Sequence, residues 1–290
     1  MMNFRSMLRS DRVRPEWTYT ADGMLWRLFC VKEGRMVGEC RDQERKTASF
    51  FCLDENSGLP LWKNLQLEET WWVGIEAVLG DTLILHTYAK PDMPQHRGIR
   101  AFHVATGAPL WRNDESTFWF GVEERLYAYR DLFEKRVGHE FDLKSGDLLR
   151  TFDESLQELN ELRQRAAEIQ DCEGLVLPQP FERESSGPEM QSLFDKALRG
   201  AEPAGGVDVV QEKDVVAFSY YVRSQKDRNE KPTFENYLCV FRVPGEALLF
   251  SEVINGNLAF PVPDTFFIRG SRLLFLKNQQ SLVSLRLWQS

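Results

Sequence analysis

Short apolar runs separated by polar turns recur along this chain, and the turns share a signature. Leu53-Asp54-Glu55-Asn56-Ser57-Gly58-Leu59-Pro60-Leu61-Trp62-Lys63-Asn64 is matched by Val104-Ala105-Thr106-Gly107-Ala108-Pro109-Leu110-Trp111-Arg112-Asn113. A third copy is Phe141-Asp142-Leu143-Lys144-Ser145-Gly146-Asp147-Leu148-Leu149-Arg150, and a worn fourth runs from Phe241 to Phe250. Each copy predicts a strand, a turn ending in Gly, and a second short strand. Asp, Asn, Ser and Thr start turns by bonding the backbone, and Gly supplies positive φ. The aromatic after the turn is placed to fill the gap between neighbouring sheets. Upstream, Trp71-Trp72-Val73-Gly74 matches Phe118-Trp119-Phe120-Gly121, and further strands follow at 82–88 and 125–130. Four strands per repeat is the make-up of a propeller blade.

The pattern therefore predicts an all-β chain, a small β-propeller of about five four-stranded blades. The blades fall at residues 24–64, 71–113, 117–152, 207–253 and 259–288, within one propeller-like domain over 1–290. The last has three clear strands, and Trp17-Thr18-Tyr19-Thr20 is expected to supply the fourth.

Residues 153–200 change period. Leu156, Leu159, Leu162, Ala166 and Ile169 fall on one helical face, and Ser155 and Glu158 have capping-box spacing. A second helix is expected from Pro188 to Leu198, with Gly200 as its stop and Met190, Leu193, Phe194 and Ala197 as its buried face. Residues 173–187 read as loop. This helical insertion between the third and fourth blades either covers a sheet edge or lids a pocket.

Composition narrows the function classes. The chain has 290 residues, 42% of them hydrophobic, enough for a large core. A net charge of −8 disfavours nucleic acid and anionic membranes as partners. Arg5, Arg9, Arg12 and Arg14 form one local basic cluster, read as a solvated terminus. The five cysteines are odd in number and lack C-x-x-C spacing, which predicts free thiols. The polar start from Met1 to Trp17 has no apolar leader, so a cytoplasmic location is expected.

The Gly-x-Pro-Leu-Trp turns resemble the repeats of quinoprotein-type propellers. More closely, Leu65-Gln66-Leu67-Glu68-Glu69-Thr70-Trp71-Trp72-Val73-Gly74-Ile75-Glu76, Lys90-Pro91-Asp92-Met93-Pro94-Gln95-His96-Arg97-Gly98-Ile99 and the Trp26-Arg27 strand resemble an uncharacterised bacterial family, a domain of unknown function. That resemblance implies the fold and no activity. Quinone-dependent dehydrogenase chemistry is not implied, because no two cysteines are adjacent and about five blades are too few.

Candidate chemistry is sparse. His86 and His103 lie on consecutive strands, where they are candidate cross-strand neighbours, but a metal needs a third ligand and no His-x-His or His-Glu-x-x-His spacing occurs. Asp54-x-Asn56-x-Gly58 opens like a calcium loop, yet position 65 is Leu rather than Glu, so a hairpin turn is the reading. No Gly-x-Ser-x-Gly elbow is present. No metal and no cofactor are expected. Glu76, Asp92 and Glu123 are the acids best placed for paired-carboxylate chemistry at a channel mouth. Trp71, Trp72 and Trp119 offer aromatic faces for a ligand or for packing between blades. Trp71 and Trp72 cannot both use one face of a strand. Trp71, Trp72, Glu76, His86, Asp92, Trp119 and Glu123 are thus the ligand-binding candidates. The expected function is a non-catalytic scaffold that binds a protein or small molecule, with a carbohydrate hydrolase as the alternative.

Overall fold

The computed structural model describes residues 12–89, 93–152, 156–168, 174–224, 232–243 and 245–288. The chain divides into two compact units, residues 21–173 and residues 1–20 with 174–290. Strand β1 (Pro15–Thr20) belongs to the second unit.

The first unit holds three antiparallel sheets. They are β2 (Met24–Val31), β3 (Arg35–Asp42), β4 (Thr47–Asp54) and β5 (Pro60–Leu65); β6 (Val73–Leu79), β7 (Thr82–Tyr88), β8 (His96–His103) and β9 (Pro109–Asn113); and β10 (Thr117–Val122), β11 (Arg125–Asp131), β12 (Arg136–Asp142) and β13 (Leu148–Phe152). Helix α1 (Leu156–Glu168) follows and packs on β10.

The second unit has two sheets. β14 (Leu175–Val176) and β15 (Gln179–Pro180) precede α2 (Pro188–Leu198). Then come β16 (Asp208–Glu212), β17 (Val215–Ser224), β18 (Thr233–Arg242), β19 (Ala247–Leu258), β20 (Phe266–Arg269), β21 (Arg272–Lys277) and β22 (Ser281–Arg286). The sheet orders are β15-β16-β17-β18-β19 and β1-β22-β21-β20-β14. Four sheets contain a four-stranded antiparallel meander and the last completes its set of β20, β21 and β22 with β1, so the fold class is all-β, built of propeller-type blades with a helical insertion after the third.

Middle strands such as Thr82–Tyr88 read as nearly continuous apolar runs because both faces are covered. The large buried side chains include Phe50, Phe51, Ile75, Leu85, Phe218 and Phe275. The N-terminal strand pairs with the last sheet, from Pro15 opposite Leu285 to Thr20 opposite Ser281. Glu16 clamps it there, with Oε1 accepting from Arg286 and Oε2 from Arg272 at 2.9 Å.

The hairpin motif has a clear physical role. Asp54 Oδ1 accepts from the Ser57 amide at 2.8 Å, and Asp142 Oδ1 accepts from Ser145 at 2.9 Å. These are turn contacts, as expected of a hairpin rather than a calcium loop. The Pro-Leu-Trp strand is bulged at Leu61, since Leu53 pairs with Pro60 and Cys52 with Trp62. Leu110, Leu149 and Leu249 occupy the same extra position in their sheets. The bulge turns the aromatic toward the next blade. Trp62 Nε1 donates to Val104 O at 2.6 Å and Trp111 Nε1 to Leu143 O at 2.9 Å. Gly107 and Gly146 leave room for those indoles: a Cβ there would lie 3.0 Å and 2.5 Å from the rings, and both residues have positive φ. In the fourth copy Phe250 takes the Trp position and packs against Phe275 at 5.5 Å. In the third copy the position is Arg150, which meets α1 instead, donating to both Glu158 carboxylate oxygens at 2.7 and 2.9 Å.

One feature of the insertion differs from expectation, and two expected residues lie outside the described ones. Residues 173–187 are not all loop: β14 pairs with β20, and β15 with β16. Ser155, the expected cap, lies outside the described residues, as does Ile169. Leu193, Phe194 and Ala197 of α2 are buried, as the helical face predicts, and Met190 packs partly against them. Among the described residues, no helix is long and apolar enough to cross a membrane. Cys40, Cys52 and Cys239 are buried free thiols and Cys30 is half-buried; Cys172 lies outside the described residues.

Candidate functional site

Three side chains converge on one face of the second blade. The β6–β7 ladder pairs Gly74 with His86 and Ile75 with Leu85, then Ala77 with Ile84, which leaves Glu76 as the unpaired residue of a bulge. A bulge re-aims a side chain at the cost of local ladder bonds. On the next strand pair Tyr88 sits opposite His96. His86 and Tyr88 share a face, so His96 is the diagonal neighbour of His86. The two imidazoles stack at 3.5 Å with planes 9° apart, and Tyr88 meets both edge-on at 5.3 and 5.1 Å.

Glu76 Oε2 is the focus of this cluster. It lies 2.7 Å from His96 Nδ1, a hydrogen bond, and 2.8 Å from His86 Nδ1. The His86 contact lacks hydrogen-bond alignment, so among the described residues neither ring nitrogen of this buried side chain has a well-aligned hydrogen bond. A buried polar group in that state costs on the order of 1–3 kcal/mol. Burial alone would raise the Glu76 carboxyl, but the polar contacts of both Nδ1 atoms with Oε2, the close 2.8 Å approach of His86 included, outweigh it and hold it down at about 2. Burial lowers His86, which favours its neutral form, and the neighbouring His96 and Arg27 add to that effect. Glu76 is therefore a fixed anion beside a neutral imidazole, an arrangement suited to holding a cation or a proton.

Side chains from the first blade hold the open edge of β6 under this cluster. Arg41 donates to Trp71 O at 3.1 Å and to Val73 O; Arg27 donates to Ile75 O at 2.6 Å. The fully buried Glu39 accepts from the Ile75 amide at 3.0 Å and pairs with Arg41 at 2.6 Å. Gly74 leaves the space: a Cβ there would lie 3.2 Å from His86 Nε2 and 3.3 Å from Glu39 Oε2.

A cleft of about 390 Å³ opens beside His96, lined also by Gln95, Arg97, Glu115, Thr117, Arg130 and Asp131. Thr117 Oγ1 donates to His96 O at 3.0 Å, and Arg130 pairs with Glu115. Arg130 Nε is buried without a hydrogen-bond partner among the described residues.

The other candidates fall in different places. Trp71 lies under Arg41 and Lys46 at 5.0 and 4.8 Å, while Trp72 meets Tyr88 at 5.7 Å, so the doublet does divide between two environments. Trp119 is the bulge residue of β10 and packs on Phe120 and Tyr129, within the cluster that contains Leu159 of α1. Glu123 is exposed in the β10–β11 turn, and Asp92 lies outside the described residues. His103 is not a neighbour of His86. It pairs with Thr82 and takes the turn position of Asp54 and Asp142, its amide bonding Ala108 O at 2.8 Å. Antiparallel pairing makes the reason plain: with Tyr88 opposite His96, the hairpin centre is near residue 92, and only residues about equally far from it can meet. His96, Tyr88, Arg27, Glu39 and Arg41 are the site residues that motif reading missed. The hairpin count alone would have found His96.

Residues 31–111 match the family model described as a domain of unknown function, DUF4905, and this stretch contains the whole Glu76–His86–His96 cluster. The resemblance seen in the sequence therefore holds over that stretch. No curated protein matches the chain at a significant level. Among solved structures, a member of the DUF4221 family from Bacteroides vulgatus is 10% identical, with a TM-score of 0.33, over 95% of this chain and 97% of that one. An uncharacterised protein from Listeria monocytogenes is 9% identical at a TM-score of 0.32, over 90% and 94%. The β-propeller domain of the Trilobed protease from Pyrococcus furiosus is 8% identical at a TM-score of 0.30, over 93% and 71%. At these scores the likenesses carry no argument about what this chain does.

Proposed function

We propose that this chain is a non-catalytic binding domain whose ligand is a small polar molecule with anionic or carbonyl oxygens, taken into the cleft beside His96. The observation that carries this reading is the convergence of Arg97, Arg130 and His96 on one cleft, with Arg130 Nε left without a hydrogen-bond partner among the described residues. An unpaired buried donor favours any ligand that brings an acceptor. A carbohydrate hydrolase needs two carboxyl groups roughly 5–10 Å apart with separate roles. Glu76 is committed to two imidazoles and Glu123 sits in an exposed turn, which favours the binding reading over the hydrolase.

A thermal-shift screen of small carboxylates, phosphates and sugar acids tests the proposal. The expected result is one chemical class that raises the melting temperature of the wild-type protein and fails to do so for Arg130→Gln. No hit across the screen, or an equal shift in the variant, overturns it.

A further inference from the structure

We propose that Glu76, His86 and His96 form a binding site for one divalent transition cation of the zinc class. Two imidazole nitrogens and a carboxylate oxygen are the donors that zinc, cobalt, nickel and iron(II) take. Calcium and magnesium take oxygen shells instead and do not suit two imidazoles. One ligand atom from each of the three residues lies within 4.8 Å of the others. The Nδ1 atoms of the stacked rings face the same oxygen, at 2.8 and 2.7 Å. Metal–ligand bonds of about 2.0–2.2 Å set tetrahedral ligand atoms roughly 3.3 Å apart. To take an ion the ligand atoms must open by about half an ångström, and the rings, stacked with planes 9° apart, must splay so that both Nδ1 lone pairs point at it, a movement that falls to the partly exposed His96.

A second observation is independent of the donor types. His86 is 2% exposed, yet among the described residues neither of its ring nitrogens has a well-aligned hydrogen bond. Buried polar groups are nearly always paired, and the exceptions mark the place of an ion, a water or a functional role. An ion at Nδ1 completes this residue. His86 Nε2 and Glu39 Oε2 both border the space left by Gly74. Backbone supports the set from both sides: a bulge aims Glu76, and the β7–β8 ladder fixes the two histidines. Three protein ligands leave a fourth position for water or for the cleft's occupant. The metal site does not rest on the ligand reading above and stands without it.

The test uses the full chain, stripped with chelator and titrated with Co²⁺ and Zn²⁺. The expected result is one equivalent bound, with visible Co²⁺ absorption of a low-coordinate nitrogen–oxygen site. Zn²⁺ should displace it. His96→Ala and Glu76→Gln should weaken binding by more than about 100-fold, beyond what loss of an outer partner costs. His103→Ala, in a turn, should bind as the wild type does. His96 is half-exposed, so its variant is expected to fold, and far-ultraviolet circular dichroism checks this. No stoichiometric Co²⁺ binding by the wild type, or binding unchanged in folded His96→Ala, overturns the proposal. A failed ligand screen leaves this titration unaffected, so the two readings fail separately.

Discussion

The two units close the open edges of their strands by different means. In the two-sheet unit the edges of β16 and β20 are covered by backbone, through the two-residue strands β15 and β14. In the three-sheet unit the edge of β6 is covered by side chains, through Arg27, Arg41 and Glu39. An exposed edge is a liability that every sheet protein has to manage. Backbone cover leaves nothing reactive behind. Side-chain cover brings buried charge to the strand, and it lies directly beneath Glu76 and His86. The buried asparagines of the two-sheet unit show the contrast. Asn236 donates to Ser219 Oγ at 2.8 Å, and Asn255 donates to Asn236 and to Leu276 O, both at 3.2 Å. That network is satisfied, whereas His86 is not. A satisfied network holds a fold together; an unsatisfied one points to something still to be bound.

The contrast can be broken at its strongest point by Arg41→Ala. This removes the cover from Trp71 O and Val73 O and leaves Glu39 buried without its partner. A loss of about 3–5 kcal/mol is expected from urea unfolding, as for other broken buried ion pairs. The matching change in the other unit is Val176→Pro, which disrupts the β14–β20 pair. There the loss should be about 1–2 kcal/mol, and amide exchange should rise at Ile268 and Gly270, whose amides face β14. A loss at Val176 as large as that at Arg41 would erase the distinction.

Trp62→Phe gives the first joint between blades the same character as the Phe250–Phe275 joint. With the bond to Val104 O gone and the ring kept, about 1 kcal/mol should be lost in the same assay. The smallest effect concerns Glu16, whose charges sit at the outer strand rather than the inner edge. Partial burial pushes its carboxyl up, and Arg286 and Arg272 outweigh that and hold it below the ordinary 4.5. Its contribution is thus complete above 4.5 and is lost as pH falls through the lower folded value. Urea midpoints measured from pH 6 downward should fall more steeply for the wild type than for Glu16→Gln. The difference should not exceed about 1 kcal/mol, the range of exposed ion pairs.

The blades were legible because their signal is local. Asp54, Gly58 and Trp62 lie within nine residues of one another, and each acts through turn chemistry or through a single neighbour. The helical face of α2 was legible for the same reason. The site was legible only in part. Glu76 stands out among the acids with Asp92 and Glu123, and His86 as a strand histidine beside His103, but the meeting of Glu76 with His86 depends on a bulge, and a bulge at Glu76 leaves no mark in the order of apolar and polar residues. Arg27, Arg41 and Glu39 act across sheets, from positions 30 or more residues away from their partners, where no periodicity reaches. The strands β14 and β15 were missed because two residues are too few to show an alternation.

The Arg150–Glu158 contact separates the third hairpin from the first two. An indole seated on glycine is indifferent to dissolved ions. A guanidinium facing a carboxylate in the open is not, since its attraction fades as the Debye length shrinks from about 8 Å in physiological saline to about 3 Å at 1 M. The strip of chain where the repeat is interrupted is thus also a place where added salt loosens a contact and leaves the neighbouring joints untouched. Salt should therefore loosen this one contact, while the apolar seat of Leu159 keeps α1 in place.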